Sequence, residues 1–94
     1  MKTRYYVCGI GYDENDRITD HEQNFGDFDT LDEARELFTK LESVDADSFF
    51  TNAPQIYQLL IQLEECEEDD NEINCIDVID EMYVFNTKAN ITNK

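Results

Sequence analysis

Three cysteines, one histidine and 23 acidic side chains are the groups of this 94-residue chain that could carry chemistry. A Cys–His or Ser–His nucleophile would have to use His21, which lies in a polar stretch with no nucleophile motif around it. The sequence has no GxSxG, no phosphate-binding loop and no HExxH. Carboxylate pairs such as Asp77 with Asp80 or Glu81 suit Mg²⁺ and phosphodiester chemistry. Such pairs arise by chance in so acidic a chain, and the same charge repels a polyanionic substrate. A calcium loop of the EF-hand type needs alternating oxygen ligands, a glycine at its sixth position and a glutamate at its twelfth. Neither residues 13–24 nor the run from Glu64 meets that pattern. Zinc held by Cys8, Cys66, Cys75 and His21 lacks the short-spaced ligand pair that marks such sites. The cysteines therefore read as small core residues. No enzyme, cofactor or dedicated metal site is expected.

The charge is the stronger signal. Seven Lys and Arg against 23 Asp and Glu leave a net charge of −16. Direct binding to DNA or RNA needs clustered cations to displace counterions, so it is excluded as the main activity. An anionic membrane surface is disfavoured for the same reason. The acids are unevenly placed: no Lys or Arg occurs between Lys40 and Lys88, a stretch that holds 13 acids. The densest run is Glu64-Glu65-Cys66-Glu67-Glu68-Asp69-Asp70-Asn71-Glu72. Read as the end of a helix rising about 1.5 Å per residue, it approaches the one charge per about 1.7 Å of duplex DNA. Such a surface seeks a basic groove shaped for nucleic acid, with steered association that weakens in salt. The partner-binding residues expected on this reading are Glu64, Glu65, Glu67, Glu68, Asp69, Asp70, Glu72, Asp77, Asp80 and Glu81. Tyr57 and Tyr83 join them as aromatic anchors. In the competing reading the acids only solvate the surface, and aromatic and apolar residues make the contacts of a plain interaction module. A second copy of the chain stays open as a partner.

The elements that must position these groups follow from periodicity. The length fits one domain, and 40% hydrophobic with 12% aromatic residues argues against disorder. Tyr5 to Tyr12 alternates as a strand, with Tyr6, Cys8, Ile10 and Tyr12 on one face. Gly9 and Gly11 share the other face with Tyr5 and Val7, which implies a close backbone approach or a bulge. Asp13-Glu14-Asn15-Asp16 is a turn, and Arg17 to Phe25 returns as a second strand. Thr30-Leu31-Asp32-Glu33 is a capping box that opens a helix over Leu31 to Glu42. Phe49 and Phe50 pack on the core. Asn52-Ala53-Pro54 opens a second helix, with Ile56, Leu59, Leu60 and Leu63 as its buried stripe, widened by Tyr57 and Ile61. The acidic run then falls at that helix's C-terminus, where the dipole favours cations instead. Ile73 to Ile79 is a strand, with Met82 to Phe85 its continuation or a short partner.

The expected fold is α+β: a mainly antiparallel sheet of three to four strands with two helices on one face, in the order β-β-α-α-β. One domain spans 1–86, and 87–94 is a polar tail. An odd number of cysteines without CxxC spacing fits a reducing compartment. The short apolar run near the start is no secretory or membrane-spanning segment, so the cytoplasm is expected.

In size, in its acidic stretch from Glu42 to Glu81 and in its lack of a cofactor motif, the chain resembles a known class. The segment Phe25-Gly26-Asp27-Phe28-Asp29-Thr30-Leu31-Asp32-Glu33-Ala34, a strand running into a capped helix, adds to the likeness. The class is the small acidic proteins of phages and mobile elements that block host defence nucleases, in particular anti-CRISPR inhibitors of Cas9-type effectors. The resemblance implies a bacterial cytoplasmic inhibitor that occupies a guide-RNA or target-DNA surface on a Cas nuclease, with or without guide RNA. Members of the class share no signature, so it assigns no residue by position.

Overall fold

Alternating side chains along Lys2–Tyr12 make strand β1, whose inner face carries Val7, Gly9 and Gly11, all buried. A computed structural model describes residues 2–51, 53 and 55–86 of the chain. β1 is followed by β2 (Ile18–Phe28), α1 (Leu31–Glu42), a short 3-10 helix (Ala46–Phe50), β3 (Gln58–Glu68) and β4 (Ile73–Phe85). The four strands form one sheet in the order β2-β1-β3-β4, antiparallel at every junction.

α1 forms where the sequence places it. The Thr30 hydroxyl oxygen accepts the Glu33 amide at 3.3 Å, satisfying one of the free donors of the first turn. The Thr30 hydroxyl itself donates to the Glu33 carboxylate at 2.9 Å, so Glu33 reaches the cap's side chain. Asp32 and Glu33 in the first turn and Lys40 in the last suit the helix dipole.

The second helix does not form. Leu59, Leu60, Ile61 and Leu63 lie in β3, at the centre of the sheet between β1 and β4. The apolar run 59–61 satisfies a helical stripe and a fully buried strand equally well, and tertiary pairing decides between them. As a strand it puts Leu59, Ile61 and Leu63, all at 0% exposure, on the inner face. Among the described residues the order is therefore β-β-α-β-β, with one α-helix. Asn52 and Pro54, the expected helix start, and the tail 87–94 lie outside the described residues. Ile73 to Phe85 is a single long strand, its two expected pieces joined through register shifts.

One face of the sheet is covered. Ala34 and Phe38 of α1, with Phe49, Phe50 and Ala53, complete a core with Val7, Leu59, Ile61 and Leu63. The glycines of β1 permit this approach: a Cβ on Gly11 would lie 3.0 Å from Ile56 Cγ2, and one on Gly9 would lie 3.2 Å from both Leu59 and Phe25. Phe25 is the extra residue of a bulge opposite Val7 and Cys8, and its ring meets Phe49 edge-on at 5.9 Å. Among the described residues no helix covers the other face of the sheet, lined by Tyr6, Cys8, Ile10, Leu60, Gln62 and Glu64.

Candidate functional site

The expected binding residues are divided by strand alternation. β3 and β4 form a hairpin closed by residues 69–72, where the Asp69 amide donates to the Glu72 carbonyl at 2.8 Å. Glu64 and Glu68 point to the open face, while Glu65 and Glu67 point to the helix side. On β4, Glu81 sits on the open face opposite Gln62, whose side-chain amide donates to it at 3.3 Å. Asp80, opposite Leu63, turns to the helix side and meets Arg35 of α1 at 3.5 Å.

The premise of a dipole conflict falls with the second helix. A strand has little net dipole, so acids at its end meet no helix terminus. A different conflict replaces it. Glu65 and Asp77 are direct cross-strand partners, and like charges placed directly opposite destabilise a sheet pair. The linear density also changes. From Gln62 to the turn the ribbon is about 27 Å long at about 3.4 Å per residue. The two strands and their turn hold ten acids and no Lys or Arg between Gln62 and Glu81. Counted over both faces of the ribbon, one charge per about 2.7 Å lies between a single nucleic-acid strand, at about 3.4 Å, and a duplex, at about 1.7 Å.

Few cations reach this ribbon. Among the described residues, ion pairs to the ten acids come only from Arg4, 3.6 Å from Glu68, and Arg35 at Asp80. Arg4 is mostly occupied elsewhere: its guanidinium donates to Asp27 and Asp29. The hydrogen bond to Asp27 raises its pKa further above the ordinary value. Lys2 adds a 3.4 Å contact to Asp29. Both cations stand beside the hairpin, Lys2 in register with Glu68 and Arg4 with Cys66, but Asp27 and Asp29 hold their charged ends.

The aromatic anchors lie at the opposite end. Tyr83 pairs with Leu60 and is 53% exposed; Phe85 is 51% exposed. Tyr57 is half-buried just before β3, its amide bonded to the Tyr12 carbonyl at 2.9 Å. The acids of the turn and the exposed aromatics thus mark two poles, with Glu81 between them.

The structure also gathers groups that the sequence reading scattered. Cys66 and Cys75 are direct cross-strand partners on the open face. Their sulfurs and a Glu64 carboxylate oxygen all lie within 4.8 Å of one another. The Cys8 thiol donates to the Glu64 carboxylate at 3.3 Å. Burial, with Glu64 beside it, pushes the Cys8 thiol up to about 12. Cys66 also rises to about 12, through burial and then its neighbours Cys75 and Glu64. Cys75 is raised by burial and by Glu64. Of the three, only Cys66 is a buried core residue; Cys75 is exposed. His21 takes no part, because its Cβ lies beside Gly11 on the other face. The turn Asp69-Asp70-Asn71-Glu72 was the signal for this cluster, since a hairpin centred there pairs residues 66 and 75.

No family model, curated protein or solved structure matches the chain.

Proposed function

We propose that the protein is a non-catalytic acidic inhibitor that occupies a basic nucleic-acid-binding surface, most concretely on a Cas9-type nuclease in a bacterial cytoplasm. The observation that supports this reading is the β3–β4 ribbon: ten acids and no intervening cation at a spacing close to that of phosphates. A strained pair such as Glu65 and Asp77 gives the isolated fold nothing. It becomes favourable against a groove lined by Lys and Arg. Local rules broken without structural gain are expected where a surface serves a partner.

The test is binding of the purified protein to a Cas9-type nuclease, with and without guide RNA, across a salt series. Salt-sensitive binding that competes with nucleic acid is expected. Reversal of Glu65, Glu67 and Asp77 to Lys should abolish it without unfolding the protein. Binding that ignores salt and charge reversal, or no binding to any basic nucleic-acid-binding protein, overturns the reading.

A second reading has its own support in the exposed Ile18, Tyr83 and Phe85, at 68%, 53% and 51%. Here the chain is an interaction module of a mobile element that works through apolar contacts. Tyr83→Ala should then impair binding while charge reversal leaves it intact.

A further inference from the structure

We propose that Glu64, Cys66 and Cys75 form a binding site for a thiophilic divalent cation of the zinc type, with Cys8 orienting the carboxylate. The three donor atoms already lie within 4.8 Å of one another. Around zinc, with Zn–S near 2.3 Å, tetrahedral ligands stand about 3.8 Å apart. Small side-chain rotations therefore close the site. Two thiolates select a soft or borderline metal over Ca²⁺ or Mg²⁺, which prefer all-oxygen shells.

The backbone fixes this set independently of the surrounding acids. Cys66 and Cys75 face each other in register. Glu64 lies two residues from Cys66 on the same face of β3. The Cys8 thiol, reaching Glu64 from β1 at 3.3 Å, does what an outer hydrogen-bond partner does at metal sites: it holds the ligand's orientation. Three protein ligands leave a fourth position open to a groove of about 530 Å³ bordered by Cys8, Asn24 and Ile73. Water completes the shell there. The cation would tie β3 to β4; Cys66 and Cys75 give up their two protons to solvent on binding, so the two thiolates balance the cation's charge and the ribbon's net charge is unchanged. The site stands on thiol geometry and does not depend on charge mimicry.

The experiment uses the whole reduced, metal-stripped protein titrated with Co²⁺ and then Zn²⁺. One equivalent of Co²⁺ should give sulfur-to-metal charge transfer and the intense visible bands of a four-coordinate centre, bleached by Zn²⁺. At one equivalent and constant salt, Zn²⁺ should raise Tm where Mg²⁺ does not. Cys75→Ser, at an exposed position, should lose the sulfur bands while keeping its circular dichroism; Cys66→Ser should do the same. Cys8→Ser should keep the spectrum and weaken affinity about 10–100-fold. Weak oxygen-only bands that persist in Cys75→Ser would show that the acids alone attract the ion, and would overturn the site. So would a Cys8→Ser loss as complete as that of Cys75→Ser. A protein that only forms a Cys66–Cys75 disulfide in air, and binds no Co²⁺ when reduced, would refute it as well.

Discussion

Glu65 on β3 stands directly opposite Asp77 on β4, acid against acid in the register of the sheet. An opposed like-charge pair costs a strand pair roughly 0.2–1 kcal/mol. Glu65→Gln or Asp77→Asn should therefore raise stability by about that amount in urea unfolding. The same variants should bind a basic partner less well. Opposite signs on stability and binding are the signature of a charge kept for an external contact; a loss of stability in both variants would count against it.

Salt should act on the fold and on binding in opposite directions. With a net charge of −16 and ten acids on one hairpin, self-repulsion is screened once the Debye length falls to about 10 Å at 0.1 M salt. Tm should rise with added NaCl, and affinity for a basic partner should fall over the same range. Tm that falls with salt would mean that the ion pairs at Arg4 outweigh the repulsion.

Acid should remove a different contribution. Lys2, through a hydrogen bond and its charge, with Arg4 beside it, holds Asp29 below the usual carboxylate range. The backbone amides of Arg17 and Asn15 do the same for Asp13 in the β1–β2 turn. A carboxylate with a depressed folded pKa stabilises above its unfolded value, about 3.9 for Asp, and that contribution is lost as pH falls through the folded value. Asp29→Asn and Asp13→Asn should each lower Tm at neutral pH and flatten its decline below about pH 4. An unchanged acid limb in both would exclude these groups as its cause.

The legible parts of the fold were those with one physical reading. The capping box at Thr30 and the spacing of Leu31, Ala34, Leu37 and Phe38 admit only a helix, and α1 runs over the expected residues. The alternation of β1 put both glycines on one face and implied a close approach or a bulge there; Leu59 and Ile56 make that approach. Leu59-Leu60-Ile61 was not legible, because three consecutive apolar residues fit a buried strand and a helical stripe alike. The misfit of the acidic run with a helix C-terminus is itself a clue to the strand. The thiol cluster was hidden by the same error: a helix over 52–63 removes the hairpin that pairs Cys66 with Cys75.

The glycine reading makes a stability test. A methyl group on Gly11 would press against Ile56 at 3.0 Å and His21 at 3.2 Å. Overpacking of this kind costs about 1–3 kcal/mol. Gly11→Ala should lower stability within that range, and combined with Ile56→Ala, which removes both contacting carbons, it should cost less than the sum of the two single losses. Additive losses in the double variant would show that the two side chains do not collide.

The thiols offer a chemical test of the open face. The thiolate is the reactive form, and burial pushes Cys8 and Cys66 up to about 12. At neutral pH a metal-free, reduced protein should therefore react with a disulfide reagent far more slowly than an unfolded control. Cys75 should lead, because it is exposed, although burial of its thiol and then Glu64 raise its pKa. Cys66, at 3% exposure, should react last. Glu64→Gln removes a negative neighbour from all three thiols, and should speed the reactions of Cys8 and Cys75 by favouring their thiolates. Unchanged rates in that variant would mean that access alone controls the chemistry and that Glu64 does not bind the cluster together.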